Sequence, residues 1–173
     1  MNSKHTFFIV DVESDGPVPG LFSMLEIGAV AIRGNTRVGH YKTQLAPITD
    51  RYEAKALEVN GLNREVLKQT GGSPWKVMGR FKTWVGIEAS GTIPVFVSDN
   101  PGFDFAFVSY YLHRYTGWNL FGHTSRSVAD LYRGSLSDPM AEYSKYREPM
   151  THRSLSDAKV NAEAFLRLLE TWA

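Results

Sequence analysis

Two carboxylates two positions apart, Asp11 and Glu13, close the apolar run in "TFFIVDVESDG". On an extended chain, residues i and i+2 share a face, so both side chains can point at one spot. Side by side they repel each other and are costly to take out of water together, and a divalent cation removes both penalties. A third carboxylate, Asp104, stands in "SDNPGFDFAF" behind a second apolar run, and a fourth, Asp157, follows His152 by five positions in "HRSLSDAKVNAEAF". Each piece alone has an ordinary structural explanation. With 18 acidic residues in 173, an Asp-x-Glu spacing is expected roughly 0.5 times by chance. Asp104 in the first turn of a helix would complement the helix dipole. Ser154-x-x-Asp157 has the outline of a capping box, with Asp in place of Glu or Gln, which would leave His152 as an exposed loop residue. The chemical explanation is a hard-cation site. Four carboxylates in a chain without cysteine suit Mg²⁺ or Mn²⁺, and Zn²⁺ less well. An imidazole is suited to take a proton from an attacking water.

The elements that must position these groups follow from pattern. "TFFIV" (6–10) is a continuous run of β formers and predicts a strand buried on both faces, with Asp11 and Glu13 following it. "LEIGAVAI" (25–32) and "HYKTQL" (40–45) predict two more strands, joined across the turn chemistry of "RGNT" (33–36). Residues 50–70 are polar and helix-prone, with a break at Asn60-Gly61. Ser-Pro opens a helix at 73–74, whose Trp75, Met78, Phe81, Lys82 and Val85 have near-helical spacing. "IPVFV" (93–97) predicts a short buried strand, and 103–115 a helix after the Asn100-Pro101-Gly102 turn. Residues 127–136 read as helical, and 139–150, polar and bounded by prolines, as a mobile loop. Ala158, Ala162, Phe165, Leu169 and Trp172 form an apolar stripe on a C-terminal helix. Strands first, then helices alternating with short strands, predict one α/β domain over 1–173 with a mixed sheet. Phe103 and Phe107 share a helical face and could present rings to a ligand, although core packing is the commoner fate of a Phe.

Bulk properties narrow the partners. Hydrophobic residues make up 43% and charged residues 21%, with a formal net charge of +1. No global basic field points to nucleic acid or an anionic membrane, though a local patch could serve. Without cysteine, disulfides and thiolate chemistry are excluded. No apolar run reaches membrane-spanning length, and the N-terminus turns acidic too early for a signal peptide, so the expected location is the cytoplasm, with no membrane partner.

Taken together and in order, these motifs resemble those of the DEDDh branch of the DnaQ-like 3′–5′ exonucleases, which have the ribonuclease H-like fold. "FFIVDVESDG" resembles the first motif of that family, "SDNPGFDFAFV" the second and "HRSLSDAKVNAEAF" the third. "VNGL" resembles a short segment that contacts the terminal nucleotide. The resemblance runs from about residue 6 to 170. Asn60 and Asp99–Asn100 depart from it, since His is frequent at these places, and "DGPVPGLFSM" is longer and richer in proline than the usual loop. The resemblance implies a mixed five-stranded sheet flanked by helices. It also implies that Asp11, Glu13, Asp104 and Asp157 hold two Mg²⁺ (or Mn²⁺) ions, with Asp11 bridging, and that His152 is the general base. The product would be a nucleoside 5′-monophosphate released from the 3′ end of single-stranded DNA or RNA. Ser14, Met24, Asn60, Asn100, Phe103 and Phe107 are the candidate substrate contacts. Many relatives dimerise, so a homodimer is a further expectation. The alternatives are an exoribonuclease that trims RNA 3′ ends or short oligoribonucleotides, a non-catalytic nucleic-acid-binding domain on the same fold, and an unrelated α/β metallo-hydrolase of small phosphate esters.

Overall fold

The computed structural model of the protein describes residues 4–171. Strand β1 (His5–Ser14) lies at the centre of a five-stranded sheet of order β3-β2-β1-β4-β5. It pairs antiparallel with β2 (Met24–Arg33) along its whole length, from Thr6↔Arg33 to Ser14↔Met24. It pairs parallel with β4 (Ile93–Ser98) only from His5↔Ile93 to Ile9↔Val97. The last residues of β1 therefore overhang β4 on that side. Asp11 and Glu13 lie within this overhang, as part of the strand rather than behind it. A tight hairpin through Gly34, at φ 63°, joins β2 to the antiparallel β3 (Thr36–Gln44).

Both faces of the sheet are covered, which is why β1 reads as an unbroken apolar run. On one face Phe8, Val10, Ile27 and Phe96 pack against α3 (Pro74–Ala89) and α4 (Pro101–Thr116) through Val77, Phe81, Phe107 and Tyr111. On the other, Ile9, Val30 and Val97 meet α5 (Val128–Ser135) and α6 (Ser154–Thr171). Ala158, Ala162, Phe165 and Leu169 of the expected stripe are buried there, while Trp172 lies outside the described residues. Each large side chain so buried contributes about 1.5–3 kcal/mol. Helices α1 (Ala54–Asn60) and α2 (Arg64–Thr70) break at Asn60-Gly61 as the sequence predicts, with Gly61 at φ 63°.

The expected mixed five-stranded sheet is present, two expectations need correction, and the fifth strand is one that the local pattern did not announce. Trp75 does not join the buried face of α3 and is 66% exposed, whereas Met78, Phe81 and Val85 are buried. A short strand β5 (Ser125–Ser127) precedes α5, paired parallel to the end of β4. The segment 139–150 is anchored. It contains a 3-10 turn (Tyr143–Lys145), and Tyr143 is buried with its hydroxyl 3.0 Å from Asn161 Oδ1. Its ring meets Tyr132 at 5.9 Å, and Tyr146 stacks on Tyr132 at 4.5 Å. The prolines do stop regular helix, but the tyrosines supply the apolar area that fixes the segment. Among the described residues, no helix is long and apolar enough to cross a membrane.

Candidate active site

The overhang of β1 sets the geometry. Where β4 ends, the backbone N–H of Val12 has no strand partner, and Asp104 Oδ1 accepts it at 3.1 Å. Asp104 sits in the first turn of α4, so this one bond ties the second carboxylate motif to the first. The third motif arrives from the opposite face. Asp11 pairs with Gly28 on β2. A side chain at Gly28 would overlap the backbone of Ser154 and Leu155, so α6 starts in direct contact with the strand next to the acidic pair. Glu26, on the same strand and opposite Glu13, receives the backbone N–H of Ser154 at 3.2 Å and its hydroxyl at 2.8 Å. The Ser154 hydroxyl thus bonds Glu26 instead of closing the helix start as a capping box would.

Asp157 takes over part of the capping task. Its Oδ1 accepts from Thr151 N (2.8 Å) and Thr151 Oγ1 (2.9 Å), and its Oδ2 accepts from Arg153 N (3.2 Å). The loop 151–153 therefore wraps around the carboxylate. His152 sits at the apex of that loop with φ 53°, a left-handed conformation uncommon for a non-glycine residue. The turn holds an exposed His152 beside the acids. Glu13, His152 and Asp157 each offer a ligand atom, and these atoms all lie within 4.8 Å of one another.

A cleft of about 470 Å³ collects these groups. Asp11, Glu13, Asp104, His152 and Asp157 all line it. So do Ser14, Asn60, Asn100 and Phe103. Two of these have their polar atoms engaged inside the fold. Asn60 Nδ2 donates to Ser14 O at 2.9 Å, and the Ser14 hydroxyl donates to Gly16 O at 2.6 Å. Asn100 is exposed and begins α4 without a side-chain capping bond, so its amide is available. Met24 and Phe107 do not line the cleft. Both are 0% exposed, in the core between the sheet and α4. Phe107 supports Phe103 from below, with ring centroids 5.0 Å apart.

The electrostatics are those of crowded, buried acids. Burial pushes the Asp11 carboxyl well above the ordinary range, and Asp104, Glu13 and Asp157 add repulsion. Asp104 is raised by burial and then by Asp99. Glu13 is pushed up to about 7, by burial first and then by Asp157 and Glu26. Raised carboxyls that share one cleft mark a place where positive charge is wanted. The carboxylate oxygens fit a hard divalent cation, and the His152 imidazole stands beside them. Sequence reasoning did not assign Asp99, Glu53, Lys55 or Arg147 to this cleft, yet all four line it. Asp99 was visible only as a departure from the family pattern, and Arg147 lay in the segment read as a loop. A larger open groove of about 1130 Å³ runs between α3 and the end of α4. Its walls are mostly apolar and contain no carboxylate or imidazole, so it cannot host the same chemistry.

Comparison with known proteins bears on the family and the fold. A family model described as Exonuclease (RNase_T) matches residues 8–165. The chain is 36% identical over 178 residues to "3'-5' DNA exonuclease Cap18" of Escherichia coli, covering 96% of this chain and 92% of that one. It is 30% identical to "DNA polymerase III PolC-type" of Thermotoga maritima, but spans only 12% of that protein. Among solved structures, an E. coli ExoI–ssDNA complex superposes with a TM-score of 0.74 at 15% identity, over 98% of this chain and 41% of that one. The nuclease domain of 3'hExo, described as a DEDDh family member bound to rAMP, gives a TM-score of 0.73 at 12% identity over 96% and 92%.

Proposed function

Since the chain belongs to the DnaQ-like 3′–5′ exonucleases, we propose that it is a metal-dependent enzyme that removes nucleoside 5′-monophosphates from the 3′ end of single-stranded DNA. We further propose that residues 1–173 form a single exonuclease domain. The observation that carries this reading is the convergence of Asp11, Glu13, Asp104, Asp157 and His152, from β1, α4 and the start of α6, on one cleft. DNA is favoured over RNA because the relative matched over 92% of its length is named a DNA exonuclease. A single strand is favoured because the ExoI structure that the chain resembles is a complex with ssDNA.

The four carboxylates would hold Mg²⁺ or Mn²⁺, two ions per site, which when bound lower the pKa of water and stabilise the leaving 3′ oxygen. The residues of the chain do the rest. Phe103 offers a ring face to the terminal base, and stacking of this kind contributes about 1–3 kcal/mol per base without regard to sequence. Asn100 supplies a free amide beside it. His152, presented by the turn around Asp157, accepts the proton of the attacking water. Asp157 orients that turn through its bonds to Thr151 and Arg153.

The test is incubation of the protein with Mg²⁺ or Mn²⁺ and 5′-labelled single-stranded DNA, single-stranded RNA and duplexes. A ladder shortening from the 3′ end, fastest on single-stranded DNA, is expected. Asp11→Ala or Asp157→Ala should abolish it while the circular dichroism spectrum persists. His152→Ala should lower kcat by about 10²–10⁴-fold, a larger loss than that in metal affinity. Preference for RNA would reassign the substrate, and full activity in Asp11→Ala would sink the reading.

A further inference from the structure

Six carboxylates line the cleft, and its basic side chains are Lys55, Arg147 and His152. Lys55 and His152 are exposed, but the Arg147 side chain is only 13% exposed. Its guanidinium lies over the Tyr143 ring, 5.5 Å from the centroid, on the segment that the tyrosine cluster anchors. Nη1 donates to Glu148 O at 3.0 Å. Nε is buried and has no hydrogen-bond partner among the described residues. Nη2 lies 3.7 Å from Asp99 Oδ2, close enough for attraction and too far for a hydrogen bond. The unused donors are not scattered. Nε and Nη2 form one edge of the planar guanidinium, the edge that matches two oxygens of a phosphate or carboxylate. A buried donor left unpaired carries a penalty, which an arriving oxyanion would remove.

We propose that the Nε/Nη2 edge of Arg147 grips the terminal phosphodiester of the bound strand, and that Asp99 is the counter-ion that holds the guanidinium in the cleft until the strand arrives. This rests on the exonuclease reading and adds a phosphate-binding residue to it. The cleft has a reason to need one. Cations held by the four carboxylates would leave Asp99, Glu53 and the incoming phosphate uncompensated, and Arg147 is the cation whose head is held inside the cleft. Bidentate geometry also fixes the rotation of the phosphate, which a point charge such as Lys55 cannot do.

The experiment compares wild type, Arg147→Gln and Arg147→Lys with two inhibitors of cleavage. Both are short single-stranded DNAs, one with a charged phosphorothioate at the 3′-terminal linkage and the other with a neutral methylphosphonate there. Arg147→Gln should weaken the charged inhibitor by roughly ten- to a hundredfold and the neutral one by less than about threefold. Arg147→Lys, which restores charge without the fork, should fall between. Equal losses on both inhibitors would mean a structural role, and unchanged inhibition would mean no contact. Either result overturns the inference while leaving the exonuclease reading intact. A wild-type protein that neither cleaves nor binds either DNA brings down both.

Discussion

Glu13 is the side chain that would couple folding most directly to the proposed cation binding. Its carboxyl rises from an ordinary 4.5 to about 7 because it is buried beside Asp157 and Glu26. Between these values the folded, metal-free protein holds a proton that the unfolded chain has released. The stabilisation is therefore full below about 4.5 and is lost as pH rises through about 7. Asp11 and Asp104 are displaced in the same direction. Urea unfolding in EDTA should give a protein less stable at pH 8 than at pH 5, by roughly 2–3 kcal/mol from Glu13 alone. Mg²⁺ or Mn²⁺ should flatten or reverse that slope, because the cation competes with the proton for the same oxygens. For the same reason, activity at scarce metal should climb through pH 7, and saturating metal should move the rise to lower pH. A metal-free stability that is flat from pH 5 to 8 would remove Glu13 from the buried acidic set.

At the scale of elements, the site depends on how closely α6 meets β2. In Gly28→Ala the new methyl would overlap the backbone of Ser154 and Leu155, and neither strand nor helix can yield by a rotamer change. The sheet should survive at a cost of about 1–3 kcal/mol. The start of α6 should move outward with Asp157 and His152, and kcat should drop by roughly 10²-fold for a displacement of about 1 Å. Wild-type kcat in a folded Gly28→Ala protein would mean that α6 is free to slide. The loop after β1 has a different anchor. Arg64 Nε meets Asp15 Oδ2 at 2.8 Å, with the two side chains 4% and 0% exposed. Arg64→Met should destabilise the protein by about 3–5 kcal/mol in denaturant melts, because Asp15 would be left buried and unpaired. The elements with strong periodicity were legible in the sequence. β1, β2, α4 and α6 carry continuous apolar runs or stripes, and burial follows them. Ser125–Ser127 is a strand only because β4 offers it an edge, and Ser-Arg-Ser carries no β signal of its own. The anchoring of 139–150 depends on its Tyr143 and Tyr146 meeting Tyr132 of α5 and Asn161 of α6 in space, which no local window shows. Met24 and Phe107 were misjudged for a related reason. Helical phase put Phe107 beside Phe103, but the depth of the cleft, which decides which ring is reachable, is a tertiary property. The motifs that line the cleft were readable because each lies beside an element whose direction the apolar pattern gives. Their partners Glu26 and Arg147 were not, since nothing in their neighbourhoods announces the contacts they make.

At the scale of the whole molecule, charge limits how the substrate can be held. A formal net charge of +1 on 173 residues supplies no strong overall positive field. If the grip is confined to one or two phosphates near the 3′ end, affinity for single-stranded DNA should fall by less than about tenfold between 50 and 200 mM salt. The enzyme should also release its substrate often, giving evenly shortening ladders rather than full digestion of a few strands. A much steeper salt dependence would point to an extended track that the cleft does not include. The catalytic candidates are also spread along nearly the whole chain, from Asp11 on the first strand to Asp157 on the last helix. Chains emerge from the ribosome N-terminus first. The sheet strands and the first three carboxylates are thus made well before α6, and α6 must dock on Gly28 and Glu26 before the fourth carboxylate and the imidazole exist at the site. A newborn chain is thereby a disarmed one. Its capacity to cut would switch on only when α6 closes onto the sheet.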